Sequence, residues 1–233
     1  MEDVRIPHDM HADALLYYQN LRTRLNGRTE ETFMDTDRMV SLDIDKALWE
    51  RVFVVAPLIV VGTQEGDGYN LAPKHMAMPL GWDNYFGFIC TPAHSTYHNA
   101  KAGDSFTVSY PRPDQVTMAS LTASPRQSDL DNEKPVLDQL PTTPATTVDG
   151  VFLSDAYLML ECELDRVLDD FGDQSLIIGR IVAAHVHEDA LRTSDQEDQQ
   201  LLYNAPLLAY LHPGRYASIR DTQAFPFPAH FSS

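Results

Sequence analysis

The stretch LIVVGTQEGDGYNLAPKHM, residues 58–76, decides the fold. Its first half is an apolar run typical of a buried strand, and the Gly-Asp-Gly tripeptide at 66–68 favours a tight turn. The return arm carries Pro73, which has no N–H to donate to a sheet ladder. Lys74 and His75 follow directly, in a chain with four lysines. The pattern predicts a β-hairpin whose second arm combines a broken edge with a local positive charge.

The chain as a whole is strongly acidic. It has 34 acidic and 17 basic residues among 233, a formal net charge of −17, with 24 Asp against 10 Glu. Nucleic acids and anionic membrane surfaces are therefore poor partners, and neither is predicted. The balance favours a salt-adapted source, in which salt screens the repulsion between surface carboxylates. An ordinary acidic protein is the alternative.

One segment of the sequence is depleted in acidic residues. Between Tyr69 and Lys101 the only acid is Asp83, which stands against two lysines and three histidines. A solvated face would share the general acidity of the chain. The segment therefore predicts a site for an anionic ligand.

Several other classes of protein are disfavoured. No apolar run approaches the roughly 20 residues that span a bilayer, and residues 1–5 lead into no signal-peptide core, so a soluble, cytoplasmic protein is predicted. Cys90 and Cys162 lie far apart in apolar stretches, which predicts buried free thiols. No metal site is predicted, because His185 and His187, two apart on a predicted strand, lack a third ligand.

The first 50 residues predict helices. Apolar residues recur at helical spacing over residues 10–25, and Gly27 is placed to end that helix. A second short helix is predicted over 44–53, with Asp43 as its cap and Trp49 as an anchor.

Beyond residue 50 the chain predicts strands. Five segments rich in β-branched and aromatic residues are separated by short turns: LIVVGT, NYFGFICT, DSFTVSYP, YLMLECELDRVL and SLIIGRIVAAHVH. Because little helix lies between them, we predict a mostly β fold with peripheral helices, built as an antiparallel barrel. Residues 123–149 predict a polar, Pro-bearing loop. The predicted organisation is a helical extension packed on the barrel (1–50), the barrel itself (51–192) and a C-terminal segment that docks on the barrel or on a partner subunit (193–233).

Several motifs in one order resemble a known family. These are GTQEGDGYNLAPKH, YFGFICTPAHSTYHNAKAGDSFTVSYP, SDAYLMLECELDRVL and LIIGRIVAAHVHED. They are similar to the flavin reductase-like FMN-binding split-barrel family, whose pattern includes Asn-x-Ala-Pro after a Gly-bearing turn, a Ser-Thr before x-x-Asn, Glu-Cys and an Ile-Gly-x-Val strand. The resemblance covers roughly residues 53–190 and implies an antiparallel split β-barrel that binds FMN.

The resemblance also implies which residues bind the cofactor. An isoalloxazine ring needs backbone partners outside a sheet ladder, and we expect Pro73 to break the ladder there. The phosphate needs hydroxyl and amide donors, with His94 and, more distantly, Lys101 as the cationic component. Taken alone, Ser95 and its neighbours are equally consistent with a capped helix start. The predicted cofactor-binding residues are Asn70, Leu71, Ala72, Pro73, Lys74, Thr91, His94, Ser95, Thr96 and Asn99.

Two positions depart from the family pattern. Reductases of the family often carry Gly-Asp-His before the Ile-Gly-x-Val strand, where this chain has Gln174 in place of the His. The Ser common after Asn-x-Ala-Pro-x is His75. His75 and Gln174 are the candidate catalytic residues, and the change at Gln174 weakens the case for direct NAD(P)H oxidation.

The resemblance implies an FMN-dependent oxidoreductase, most simply an NAD(P)H:flavin reductase with NADH or NADPH as co-substrate. A second hypothesis is an FMN-binding electron carrier, or an FMN-dependent oxygenase reduced by a partner protein. A third is a flavin-free ligand-binding or interaction barrel. The expected partners are a second copy of the chain, forming a homodimer, and a partner oxygenase or electron donor.

Overall fold

The computed structural model describes residues 39–126, 134–193 and 196–225. The chain separates into two compact units. The larger, Trp49–Thr222, contains all the strands described below. In the described part of the smaller unit, residues 39–47 and 223–225 form neither α-helix nor strand. The helix predicted for 10–25 lies outside the described residues.

Twelve strands lie in the described residues. Their bounds are β1 Val54–Pro57, β2 Ile59–Glu65, β3 Gly68–Lys74, β4 Ala77–Leu80, β5 Tyr85–Cys90, β6 Ser105–Tyr110, β7 Thr142–Pro144, β8 Val151–Leu153, β9 Leu158–Phe171, β10 Gln174–Val186, β11 Leu207–His212 and β12 Arg215–Ile219. The longest connections run from β6 to β7 and from β10 to β11.

Helices are few and short in the described residues. The α-helices are α1 Ser95–Ala102, α2 Val116–Leu121 and α3 Asp198–Asn204, and the 3-10 helices are Leu48–Glu50, Pro113–Gln115, Pro135–Gln139 and Glu188–Ala190. None of the helices in the described ranges is both long and apolar enough to cross a bilayer.

Seven strands form the main sheet, in the order β3-β2-β6-β9-β10-β5-β4. Every pair in it is antiparallel, and β9 and β10 form its long central hairpin. Register shifts along that hairpin mark bulges, which bend and twist strands and so help the sheet to curl into half a barrel. Two smaller antiparallel sheets accompany it, β1-β11-β12 and β7-β8. The predicted antiparallel, mostly β fold is confirmed.

The core lies inside the curled sheet. Phe88 and Phe106 meet edge to face, with ring centroids 5.2 Å apart, and both are buried. Gly179 allows this packing, because a Cβ there would lie 2.5 Å from the Phe106 ring. Cys90 and Cys162 are buried free thiols as predicted, and burial raises the pKa of Cys162 to about 12.

The predicted second helix is wrong. Within 44–53 the structure has a single 3-10 turn, Leu48–Glu50, and Trp49 is exposed and does not anchor a core. The β-branched run that follows continues into β1, which pairs with β11 of the C-terminal hairpin. The partner of β1 lies far along the sequence, so no short-range pattern signals this strand.

A buried carboxylate organises the connection between β7 and β8. Glu161 of β9 is fully buried and accepts hydrogen bonds from Thr146 N (3.0 Å), Thr146 Oγ1 (2.7 Å), Thr147 N (2.6 Å) and Val148 N (2.9 Å). His185 Nε2 lies 3.0 Å from the same carboxylate. Burial alone would raise the pKa of Glu161, but the hydrogen bonds from Thr146, Val148 and His185 outweigh it and hold that pKa at about 2.

We predict that Glu161→Gln lowers the free energy of unfolding at pH 7 by about 3 kcal/mol, because the buried donors lose a charged acceptor. The folded-state pKa of Glu161 lies below its ordinary value of 4.5, so its stabilisation is present above that value and is lost as the pH falls toward 2. The free energies of unfolding of wild type and variant, measured by urea denaturation, should therefore converge as the pH falls from 4.5 toward 2.

The matched control is Glu163→Gln, two residues along β9. Glu163 is half exposed and pairs with Arg180 at 2.7 Å, so its loss should change stability little. Equal destabilisation by both substitutions would show that the buried loop contacts of Glu161 are not the cause.

Candidate functional site

Two adjoining clefts open beside β3. The first has a volume of about 440 Å³ and collects most of the predicted cofactor-binding residues. Its lining consists of Asn70, Ala72, Pro73, Lys74, Ala93, His94, Ser95, Thr96, Thr122, Ala123, Ser124, Pro125, Arg126 and Lys134. No carboxylate is among these residues, although the chain has 34 acids. The predicted depletion of acids therefore coincides with a concave surface.

Among the described strands, β3 is an edge of the main sheet and pairs with β2 alone. The carbonyl of Leu71 points away from β2, since it accepts a hydrogen bond from Lys134 Nζ at 3.4 Å. Alternate residues of a strand point their backbone groups the same way, so Pro73 also faces the open edge. The expectation that Pro73 breaks the ladder is thus wrong: its missing N–H costs the sheet nothing, and the edge position itself leaves the backbone free.

The N-terminus of α1 opens into the first cleft. His94 is the N-cap residue and makes no side-chain capping bond, while Ser95 and Thr96 form the first turn. The first N–H groups of a helix lack intrahelical acceptors and carry partial positive charge. Ser95 therefore begins a helix, which was one of the two interpretations of this stretch of sequence. Its backbone N–H and its hydroxyl lie where a bound anion would be stabilised.

Three cationic side chains line the same cleft: Lys74, Arg126 and Lys134. Arg126 binds both carboxylate oxygens of Glu65 at 2.8 Å, which fixes its position. Lys134 donates to the carbonyls of Leu71 and Thr122, and burial, followed by the charge of Arg126, lowers its pKa. An anion entering the cleft would relieve this crowding of positive charge.

The predicted cationic component was placed on the wrong residues. Burial, Lys74 and Lys134 together lower the pKa of His94, so its imidazole is neutral at pH 7. Lys101 lies away from both clefts, where its Nζ donates to the Tyr97 hydroxyl at 3.0 Å. Sequence reasoning missed Arg126 and Lys134, which belong to the stretch assigned as a loop. The scarcity of lysine was the available signal, since Lys134 is one of four.

Asn70 is buried, and one hydrogen-bond acceptor of its side chain is unoccupied within the described part of the chain. Its Nδ2 donates to Thr96 Oγ1 at 3.3 Å, while its Oδ1 is buried and has no hydrogen-bond partner within the described structure. Asn99 lines neither cleft; its Nδ2 donates to Thr63 Oγ1 at 3.3 Å and to Glu65 Oε1 at 3.1 Å. Asn99 thus supports the carboxylate that holds Arg126.

Two more predicted residues also lie outside the clefts. Thr91 follows β5, and its carbonyl accepts from His94 N at 3.0 Å, so it shapes the turn that leads into α1. Gln174 lies at the β9–β10 turn, where its side chain donates to Asp173 at 3.0 Å. Leu71 is not among the lining residues either: its side chain packs in the core, and its carbonyl accepts from Lys134 Nζ.

The second cleft has a volume of about 570 Å³ and shares Pro73, Lys74 and Ala123 with the first. Its remaining lining comes from Leu58, His75, α2 and the C-terminal hairpin: Val116, Thr117, Ser120, Leu121, Tyr210, Gly214, Arg215 and Tyr216. Lys74 extends its Nζ to within 3.4 Å of Cys90 Sγ. The shared residues make β3 the common wall of both clefts.

His75 stacks against the hairpin. Its ring lies 5.0 Å from that of His212, nearly parallel, and 4.8 Å from that of Tyr210. Burial, followed by His212 and Lys74, lowers the pKa of His75, so the ring is neutral at pH 7. Its Nε2 and the Nδ1 of His212 are buried without a hydrogen-bond partner in the described structure.

The family description "Flavin reductase like domain" matches residues 52–220, which is most of the chain. A search of the curated proteins found no significant match.

Solved structures share the fold. The FMN-binding protein from Thermus thermophilus with bound 1-cyclohex-2-enone is 23% identical, with a TM-score of 0.65, and the alignment covers 80% of this chain and 99% of that chain. A Shewanella frigidimarina flavin reductase homologue with a split barrel domain is 19% identical, with a TM-score of 0.64, and the alignment covers 74% of this chain and 86% of that chain. BorF, the flavin reductase component of a bacterial two-component tryptophan halogenase, is 20% identical, with a TM-score of 0.56 and coverages of 72% and 93%. The predicted split barrel is confirmed.

Proposed function

The chain belongs to the flavin reductase like family, and from that premise we propose that it is an FMN-binding oxidoreductase, most simply an NAD(P)H:flavin reductase. The observation that carries the proposal is the first cleft. It combines a helix N-terminus, three cations and no carboxylate in a chain of net charge −17. This arrangement suits a phosphate ester bound through its anionic end.

The residues of both clefts fit FMN. The phosphate would be held by the N-terminus of α1, Ser95 and Lys134, and the buried Oδ1 of Asn70 is an acceptor suited to a ribityl hydroxyl. The ring would lie along the open edge of β3, where backbone groups are free of the ladder, and end at the wall that the two clefts share. Bound there, the flavin would supply hydride and electron transfer.

The protein's own side chains would bind the flavin and orient it. Lys74 places a positive charge at the wall between the two clefts, where it favours electron-rich groups. Neutral His75, with its buried Nε2 unpaired, can exchange a hydrogen bond with a ring edge. No nucleophile is required, because the cofactor carries the chemistry.

A carrier or oxygenase reduced by a partner protein is the second candidate function. Gln174, at the position where family reductases carry a His, lies at the β9–β10 turn and lines neither cleft. The first candidate, a flavin reductase, would correspond instead to BorF, the flavin reductase component of a two-component halogenase.

Anaerobic addition of NADH or NADPH to the FMN-loaded protein tests the proposed activity. We expect the visible flavin absorption to bleach within seconds with at least one of the two. FMN that binds but stays oxidised with both nucleotides would instead establish the carrier or oxygenase. A purified protein that neither carries nor takes up flavin would refute all the flavin hypotheses.

Lys134→Met should weaken FMN binding about tenfold or more, the effect of one lost charge-assisted hydrogen bond, while riboflavin binding hardly changes. Lys101→Met is the matched control, since Lys101 contacts Tyr97 away from the clefts. Fluorescence titration of both flavins against wild type and both variants gives the comparison. A parallel loss of riboflavin affinity in Lys134→Met would assign Lys134 to the shape of the loop and not to the phosphate.

We also propose a homodimer. The helix predicted over residues 10–25 lies outside the described residues, as do residues 226–233 of the C-terminal segment that was predicted to dock on the barrel or on a partner subunit. In the larger unit, Phe53, Val55, Met78 and Trp82 are each more than half exposed, which leaves apolar surface to cover. Sedimentation velocity should give twice the mass of 26.2 kDa. A monomer that binds FMN tightly would contradict this proposal.

A further inference from the structure

One arginine of the larger unit stands apart from the rest. Among the described residues the guanidinium of Arg215 has no carboxylate, hydrogen-bond or ring partner. Other arginines are engaged: five pair with carboxylates and one lies over the Tyr203 ring, namely Arg112, Arg126, Arg166, Arg180, Arg192 and Arg220. In a chain with twice as many acids as bases, an unpaired arginine is a notable exception.

The position of Arg215 in the second cleft explains why it has no partner among the described residues. It is the first residue of β12 and lines the second cleft, which is bounded by no acidic residue. Lys74 reaches the same cleft from β3. The cleft therefore has two cations and no internal counterion, so its own electrostatics favour an anionic ligand.

The walls of the cleft indicate the rest of the ligand. The rings of Tyr210 and His75 lie against each other on one side, with centroids 4.8 Å apart and a tilt of 40°. Tyr216 is exposed beside Arg215, and Leu121 of α2 presents a partly exposed apolar side chain. Flat aromatic and apolar surfaces of this kind favour a planar ring over a flexible or strongly hydrated molecule.

We propose that the second cleft binds a small aromatic acid, with its ring against the side chains of Tyr210 and His75 and its carboxylate on Arg215. Arginine suits this role because its planar fork matches both carboxylate oxygens. The proposal names the ligand class of the proposed flavoenzyme and rests on that function for the ligand's role. The binding itself depends only on the cleft, so it can fail or hold independently of flavin binding.

The test compares 4-hydroxybenzoate with its neutral isostere 4-hydroxybenzamide. Calorimetric titration of the FMN-loaded and the FMN-free protein should show the acid binding at least about tenfold more tightly than the amide. Arg215→Gln should remove that preference and leave FMN affinity unchanged. In the loaded protein the acid should also perturb the visible flavin spectrum, because the two clefts share a wall.

Arg220→Gln is the matched control, since Arg220 lies over Tyr203 outside both clefts. It should keep the preference for the acid. Equal affinity for acid and amide, or no binding of either, would overturn the proposal. So would displacement of the acid by FMN, which would put the flavin ring in this cleft. A loss of NADH-dependent bleaching in Arg215→Gln with unchanged acid affinity would assign Arg215 to the nicotinamide donor instead.

Discussion

The open edge of the main sheet is the constraint on which the rest depends. Seven antiparallel strands curl without closing, so β3 keeps one row of backbone groups that no strand of the described residues pairs. Such an edge invites aggregation unless it is covered or made unsuitable for pairing. Here Pro73 removes one donor from the edge, and Lys134 reaches the carbonyl of Leu71. The two residues that protect the edge also line the clefts: Pro73 lines both clefts and Lys134 lines the first.

Charge is divided between the surface and the clefts. At −17 the chain repels anions over long distances, yet the linings of both clefts hold cations and no carboxylates. Solvent ions screen the distant charges more than the partly buried ones, so the local cations dominate for a ligand already in the cleft. Glu65 makes this separation possible, because it pairs with Arg126 and stays outside the lining of the first cleft.

Sequence reasoning succeeded where the signal was local. The five predicted segments correspond to β2, β5, β6, β9 and β10, since their apolar and β-branched runs are continuous. It failed where strands pair across the whole chain, as β1 does with β11, and where a cation enters the site from a distant loop, as Lys134 does. It also took His94 for a charge, because the neighbours that lower its pKa come together only in the folded chain. The assignment of individual residues to the cofactor stays a prediction.

The two clefts meet at residues 73–75, Pro-Lys-His, at the C-terminal end of β3. Lys74 points toward both clefts, whereas His75 meets only the second and is fixed there by the C-terminal hairpin. The hairpin carries Tyr210 and Arg215 on the same short segment, so the aromatic wall and the unpaired cation are positioned together. A change in that hairpin therefore alters the second cleft without touching the first. The two proposed ligand sites should therefore be separable by substitution, even though one strand supports them both.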